Sequence, residues 1–312
     1  MAEIALAVRH ALAQRRRRGE PGRTAAQVLA RGEDWTVSDV VCTAGPHDAP
    51  FEEQHTGYSI AIVLTGAFQY RSALGDALMT PGSLMLGNPG QCFECGHEHG
   101  EGDRCVSFWY APQYFERLAG DAGCPRTAAP FAVPRVPPLR PINPIVAAAA
   151  TGVVAYHQLP WEELVVTLAA RAMQLASGVS GRYRVPINAE ARISRSARLI
   201  DRRPAAPLTL ESMAREAGLS PYHFLRTFQR VTGVTPHQYV LRARLRDAAL
   251  RLSLTADKIV DIALSSGFGD VSNFNHAFRR EFGRSPRQYR HLSVPSTPER
   301  QLTPSFSTRR RQ

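Results

Sequence analysis

Six residues recur in order along the last third of the chain. Ala214, Gly218, Phe228, Gly233, Pro236 and Tyr239 are matched by Ala263, Gly267, Phe278, Gly283, Pro286 and Tyr289. From Phe to Tyr the spacing is identical, and the copies differ by one residue between Gly and Phe. A repeated unit with alanine and glycine four apart reads as two helix-turn-helix units in tandem. That architecture is helical and points to sequence-specific binding of double-stranded DNA.

The local chemistry of the first copy fits this reading. Thr209 caps a helix reaching Ala217, with Leu210, Met213, Ala214 and Ala217 at helical spacing. Ala214 is small so that the second helix can cross closely, and Gly218 takes the positive φ of the turn. Ser220 caps the next helix, with Pro221 at its first position. Phe224, Leu225 and Phe228 supply its core-facing bulk. Tyr222, His223, Arg226 and Arg230 are left facing outward, where a helix in the major groove reads bases.

Thr235-Pro236-His237-Gln238 has the form of a capping box opening a long helix that ends near Leu252. Its roughly 17 residues span ~25 Å, against the ~34 Å between successive major grooves. In the second copy Ile259, Ile262 and Ala263 form the supporting helix and Gly267 the turn. Asp270 caps the recognition helix, Phe274 and Phe278 face inward, and Ser272, Asn273 and His276 face outward. Asparagine suits adenine, and Arg226 suits guanine. Ser285-Pro286-Arg287-Gln288 is a further capping box. Arg279, Arg280, Arg284 and Arg287 are placed as phosphate contacts, which orient without specifying. Taken singly, each arginine is an ordinary solvated residue; the duplicated turn chemistry favours the DNA reading.

The segment from about Ile193 to Arg290 resembles the AraC/XylS family of bacterial transcription regulators. The residues that carry the resemblance are Ala214, Gly218, Ser220, Arg226 and Phe228, then Ile262-Ala263, Gly267-Phe268, Phe274, Ala277-Phe278, Gly283, Ser285-Pro286 and Tyr289-Arg290. The family often has arginine where this chain has His276. The resemblance implies two recognition helices in adjacent major grooves, recruitment of RNA polymerase as in many activators of the family, and a non-enzymatic role.

Charge agrees. The chain of 312 residues carries +11, nearly all from arginine, Lys258 being its only lysine. Between Glu190 and Arg290 stand 18 Lys and Arg against 9 Asp and Glu, so most of the excess lies on the repeat. A GC-rich genome would also favour arginine. No stretch is long and apolar enough to span a bilayer. Arg15 to Arg18 follow the apolar N-terminal residues, the wrong order for a secretory signal, so a cytoplasmic location is expected. Five cysteines, an odd number, suit free thiols in a reducing compartment.

Residues 1–30 read as a basic arm, either disordered or a frayed helix. Residues 31–124 alternate short apolar runs with turn signals, giving strands over Val37–Thr43, Ser59–Leu64, Ala67–Arg71, Ser83–Leu86, Gln91–Cys95 and Arg104–Tyr110. Gly66, Gly75-Asp76, Pro81-Gly82 and Asn88-Pro89-Gly90 punctuate them, as in a small barrel or jelly roll. The run from Pro81 to Leu86, followed by Asn88-Pro89-Gly90, resembles the cupin-like sensory domain often joined to this DNA-binding domain. That implies a small-molecule effector in a barrel pocket.

Ala111–Leu118 turns helical. Residues 125–189 hold a proline-rich linker, with seven prolines between Pro125 and Pro144, then helices Ile145–Gln158 and Trp161–Ser177 and a second linker, Gly178 to Asn188. Val146, Val153, Leu164, Leu168 and Leu175 pack either within the chain or in a homodimer. Residues 190–292 form the DNA-binding domain, and 293–312 a disordered tail. The expected class is therefore α+β multidomain: a cupin-like β-barrel or jelly roll, then helices, then an all-α tandem helix-turn-helix domain.

One cluster suggests more: Cys92, Cys95, His97, His99 and Cys105. Thiolate with imidazole is a preferred donor set for zinc or another transition metal. On one strand Cys95, His97 and His99 share a face and Cys92 lies on the other, so Cys92 and Cys95 act together only if a turn such as Gly96 intervenes. His97-Glu98-His99 also resembles the metal motif of cupin enzymes, although Glu101 is too near to complete it. The plainer reading makes these cysteines small apolar residues. His47 and His55 precede a strand and are not required by any spacing. The cluster thus leaves three alternatives to an organic effector: a metal- or thiol-based sensor, a cupin metalloenzyme fused to a DNA-binding module, and an alkyl-accepting regulator.

Overall fold

The computed structural model describes residues 2–97, 100, 102–123, 130–155, 159–178 and 187–293. Two antiparallel sheets make up the first half. The strands are β1 (Thr24–Arg31), β2 (Trp35–Cys42), β3 (Phe51–Gln54), β4 (Tyr58–Gly66), β5 (Phe68–Ser72), β6 (Gly75–Met79), β7 (Leu84–Gly87), β8 (Cys92–Gly96), β9 (Asp103–Tyr110) and β10 (Arg135–Val136). The six-stranded sheet runs β1-β2-β9-β4-β7-β10, and the four-stranded sheet runs β3-β8-β5-β6.

The continuous apolar run of β4 has a structural reason. Ile60, Ile62 and Leu64 face one side and join the core formed with the helices. Ala61 and Val63 face the other and pack with Phe68, Tyr70, Phe93, Cys95 and Cys105. A strand covered on both faces needs apolar residues at every position. The helices are α1 (Ala2–Arg18), α2 (Pro112–Asp121), α3 (Asn143–Val154) and α4 (Trp161–Ala176), followed by α5 (Ile187–Arg202) and the six helices of the repeat.

Several expectations change. The basic arm is not disordered: it forms α1 and β1. Ile4 and Val8, four apart on one helical face, are buried. Arg15 pairs with Asp48 at 2.7 Å, and Arg104 donates to the Ile4 carbonyl at 3.5 Å. Gly75-Asp76 is not a turn but the start of β6, because Ser72 pairs with Gly75 and Arg71 with Asp76. The proline-rich segment is not a free linker between Phe131 and Ile142, since Phe131, Val136 and Ile142 are fully buried in the first domain's core. Val146, Val153, Leu164 and Leu168 are buried within the chain, as in the plainer of the two readings. Most of the second linker and the tail beyond Ser293 lie outside the described residues.

Candidate nucleic-acid interface

Both copies of the repeat fold into the same unit. In the first, α6 (Leu210–Glu216) leads through Gly218 to α7 (Pro221–Thr232); in the second, α9 (Ile259–Ser265) leads through Gly267 to α10 (Val271–Phe282). Both glycines have positive φ, 64° and 89°. Ser220 accepts from the His223 amide at 3.4 Å, and Asp270 from the Asn273 amide at 2.7 Å. Each recognition helix ends on a left-handed glycine, Gly233 or Gly283. The conserved Phe-to-Tyr spacing places the same edge-on ring pair in both units. Phe228 meets Tyr239 at 5.5 Å and 84°, and Phe278 meets Tyr289 at 5.4 Å and 81°.

Between the units runs α8 (Pro236–Leu254), opened by the expected Thr235–Gln238 capping box. Its 19 residues span ~28 Å, two residues beyond the expected end. After the second unit, α11 (Pro286–Ser293) starts on the Ser285–Gln288 pair.

Tyr222, His223, Arg226 and Arg230 on α7 are all exposed, as are Ser272, Asn273, His276, Arg279 and Arg280 on α10. Arg284 and Arg287 are exposed just beyond. Arg226 is held ready: it donates to the Tyr222 hydroxyl at 2.8 Å and stacks over that ring. Asn275, outside the expected set, is also exposed on α10. It lies one turn from Ser272, and that helical spacing was the signal that could have found it.

Not all of the basic excess faces outward. Arg242 pairs with Glu281 at 3.4 Å. Arg244 donates to the carbonyls of Pro204 and Ala206. Arg246 is 2% exposed. Arg242 thus ties α8 to the second recognition helix, and Arg244 ties it to the loop before the first unit.

The repeat is docked on the first half of the chain. Ala67, between β4 and β5, and Leu78 of β6 join the core around Phe224 and Phe228. Arg135 donates to the carbonyls of Leu78 and Val231, at 2.6 and 2.8 Å. Thr65 donates to Asp201 at 2.8 Å. Ala147 of α3 enters the core of the second unit. A cleft of about 600 Å³ opens between α1 and α5. Arg9 and Arg16 line it from α1, Arg195, Arg198 and Arg202 from α5, and Glu216 is its one acid. Burial, then the charges of Arg202 and Arg195, lower Arg198 to about 10.

The Cys/His cluster is rearranged. Cys92 is exposed on β8, while Cys95 is buried on the opposite face, as the strand alternation requires. His99 lies outside the described residues, as does Cys124. His97 is brought instead to Cys42 and Asp103, neither of which belongs to the expected cluster. Their pairing is set by strand register, Cys42 facing Asp103 across β2 and β9, and no spacing along the chain reveals it. His97 Nε2 and Asp103 Oδ2 are 2.6 Å apart. Burial works to lower the His97 imidazole, but the neighbouring Asp103 and Cys42 outweigh it and raise it to about 10. Cys105 donates to Asp103 Oδ1 at 3.4 Å. Burial, reinforced by the Asp103 charge, pushes the Cys95 and Cys105 thiols well up. Thiols held protonated are poor nucleophiles, which weighs against Cys95 and Cys105 as the reacting groups of the alkyl-accepting and thiol-sensing readings.

Comparison with known proteins places these observations among relatives. A helix-turn-helix domain family matches residues 213–291. The transcriptional regulator Rob of Salmonella typhimurium is 40% identical over 87 residues, covering 28% of this chain and 30% of Rob. The regulatory protein SoxS of the same organism is 38% identical over 92 residues, covering 30% of this chain and 86% of SoxS. A crystal structure of a transcriptional regulator from Chromobacterium violaceum, described as an AraC-type DNA-binding domain protein, is 27% identical, covers 36% of this chain and all of that one, and has a TM-score of 0.33. The chain thus spans under a third of Rob's length but most of SoxS. No helix among the described residues is long and apolar enough to cross a membrane.

Proposed function

The chain belongs to the AraC family of DNA-binding transcription regulators, and from that premise we propose that it is an effector-controlled regulator, not an enzyme, acting in the cytoplasm. The observation that supports this most directly is the doubled unit itself. Two capped recognition helices present Arg226 with His223, and Asn273 with His276, from matching positions on one repeated scaffold. Arg226 would read guanine and Asn273 adenine, with Arg279, Arg280, Arg284 and Arg287 on phosphates.

Control would come from the first half, read as the cupin-like sensory domain. Its sheets pack on the first unit and its α3 on the second, so a change there reaches both. The arginine-lined cleft between α1 and α5 is the site we assign to the effector, an anion by its chemistry. Recruitment of RNA polymerase and pairing into a homodimer complete the proposal.

The test is a titration of the full chain against a selected DNA site and against random duplex at several salt concentrations. Arg226→Ala is expected to cost about 1–3 kcal/mol on the selected site and relax its specificity, whereas Arg284→Ala weakens both duplexes alike. Equal losses for Arg226→Ala on both duplexes would remove its base-reading role.

A further inference from the structure

We propose that Cys42, His97 and Asp103 bind one divalent transition metal of the zinc class. The three residues come from separate places: the end of β2, the residue after β8 in the other sheet, and the start of β9. Their donor atoms lie within 4.8 Å of one another, and all three residues are buried. A thiol, an imidazole and a carboxylate in one desolvated spot are the ligands zinc selects.

The geometry needs little change. Zinc bonds of about 2.0–2.3 Å in a tetrahedron hold their donors roughly 3.3–3.7 Å apart. His97 Nε2 and Asp103 Oδ2, at 2.6 Å, would open by about an ångström to admit the ion. The backbone is shaped around the spot as well. Gly66 has φ +85°, and a Cβ there would run into the backbone of Gly102 and Asp103, so the start of β9 is seated where only glycine lets it pass. A metal here would tie β2 and β9 of one sheet to β8 of the other, at the root of the β8–β9 connection. Gly100 in that connection lies against the Arg198 guanidinium of the cleft.

The experiment uses the full chain purified without a metal-binding tag or chelator. Elemental analysis is expected to give about one zinc per chain, and apoprotein should take up one zinc in competition with a chromophoric chelator. Cobalt(II) in its place should show thiolate-to-metal charge transfer and the intense visible bands of a tetrahedral site. Cys42→Ser and Asp103→Asn should each weaken uptake by at least tenfold, while Cys92→Ser, on the exposed face, should leave it unchanged. Should the first two fail to fold, the cobalt spectrum of the unaltered chain decides alone, together with zinc-dependent protection of Cys42 from alkylation. Less than a tenth of an equivalent bound, no thiolate band, or loss of binding only in Cys92→Ser would overturn the proposal.

Discussion

Arg246, buried in the middle of α8, donates to the Asn143 side-chain oxygen at the start of α3, 3.1 Å away. The helix that spaces the two DNA-binding units is thereby fixed to the helical layer of the first domain. A second guanidinium nitrogen reaches the Pro81 carbonyl at 3.4 Å. Asn143→Leu strips the charge of its closest acceptor and should cost about 2–3 kcal/mol in urea denaturation. Arg246→Met removes charge and bonds together and should cost less than that. The two substitutions should be coupled in a double-mutant cycle; effects that add within about 0.5 kcal/mol would show that the contact carries no weight.

The two turn glycines should not tolerate alanine equally. At Gly218 an added Cβ meets only an Arg192 nitrogen at 3.9 Å, so left-handed strain is the main penalty, about 1–2 kcal/mol. At Gly267 the Cβ would come within 2.8 and 2.9 Å of the Ala205 backbone, and the loss should reach about 3 kcal/mol or more. Thermal denaturation of Gly218→Ala and Gly267→Ala separates the cases. Equal destabilisation would mean that the Ala205 loop yields freely.

The arginine cleft offers a direct ligand test without DNA. Five guanidinium groups face one carboxylate across it, so an anion relieves their repulsion. Millimolar pyrophosphate, used as a probe, should raise the melting temperature by several degrees, following the mass-action gain of a ligand bound only by the folded state. Arg195→Ala/Arg202→Ala should abolish the rise. A rise of the same size in that variant would locate anion binding elsewhere.

Acid sensitivity should trace to His55. The Tyr70 hydroxyl donates to the Leu86 carbonyl at 3.0 Å, so its oxygen accepts from His55 Nε2 at 2.9 Å and the ring is neutral. Burial depresses His55 to about 4 from its ordinary 6.5. Between those values the unfolded chain binds the extra proton. The His55 contribution to stability is therefore full above pH 6.5 and is lost as the pH drops toward 4, by roughly 1–3 kcal/mol. His55→Gln should flatten that part of the pH profile; an unchanged slope would place the titrating group elsewhere.

The repeat was readable because its information is local. Ser220, Asp270, Gly218 and Gly267 each act within a few residues, so caps and turns follow from neighbours along the chain. The central strands were readable from apolar runs such as Ser59–Leu64. What stayed hidden depends on distant partners. β1 shows little alternation, since it is a largely exposed edge strand whose place is set by pairing with β2. α1 looked like a solvated arm because its arginines outnumber Ile4 and Val8, which nevertheless find cover. The prolines around Phe131 and Val136 suggested a linker, whereas their apolar neighbours are buried. The buried cluster was half seen: His97 was legible as a ligand type, but Cys42 and Asp103 meet it only through strand register.

The most direct test of the account is selection of binding sites from a random duplex library by the full chain. It should enrich one motif with two blocks of preferred bases about 10 base pairs apart, one for each recognition helix. Arg226→Ala should erase preference in one block, and Asn273→Ala with His276→Ala in the other. Enrichment of no motif, with binding that depends on salt alone, would contradict the central claim that these two helices read sequence.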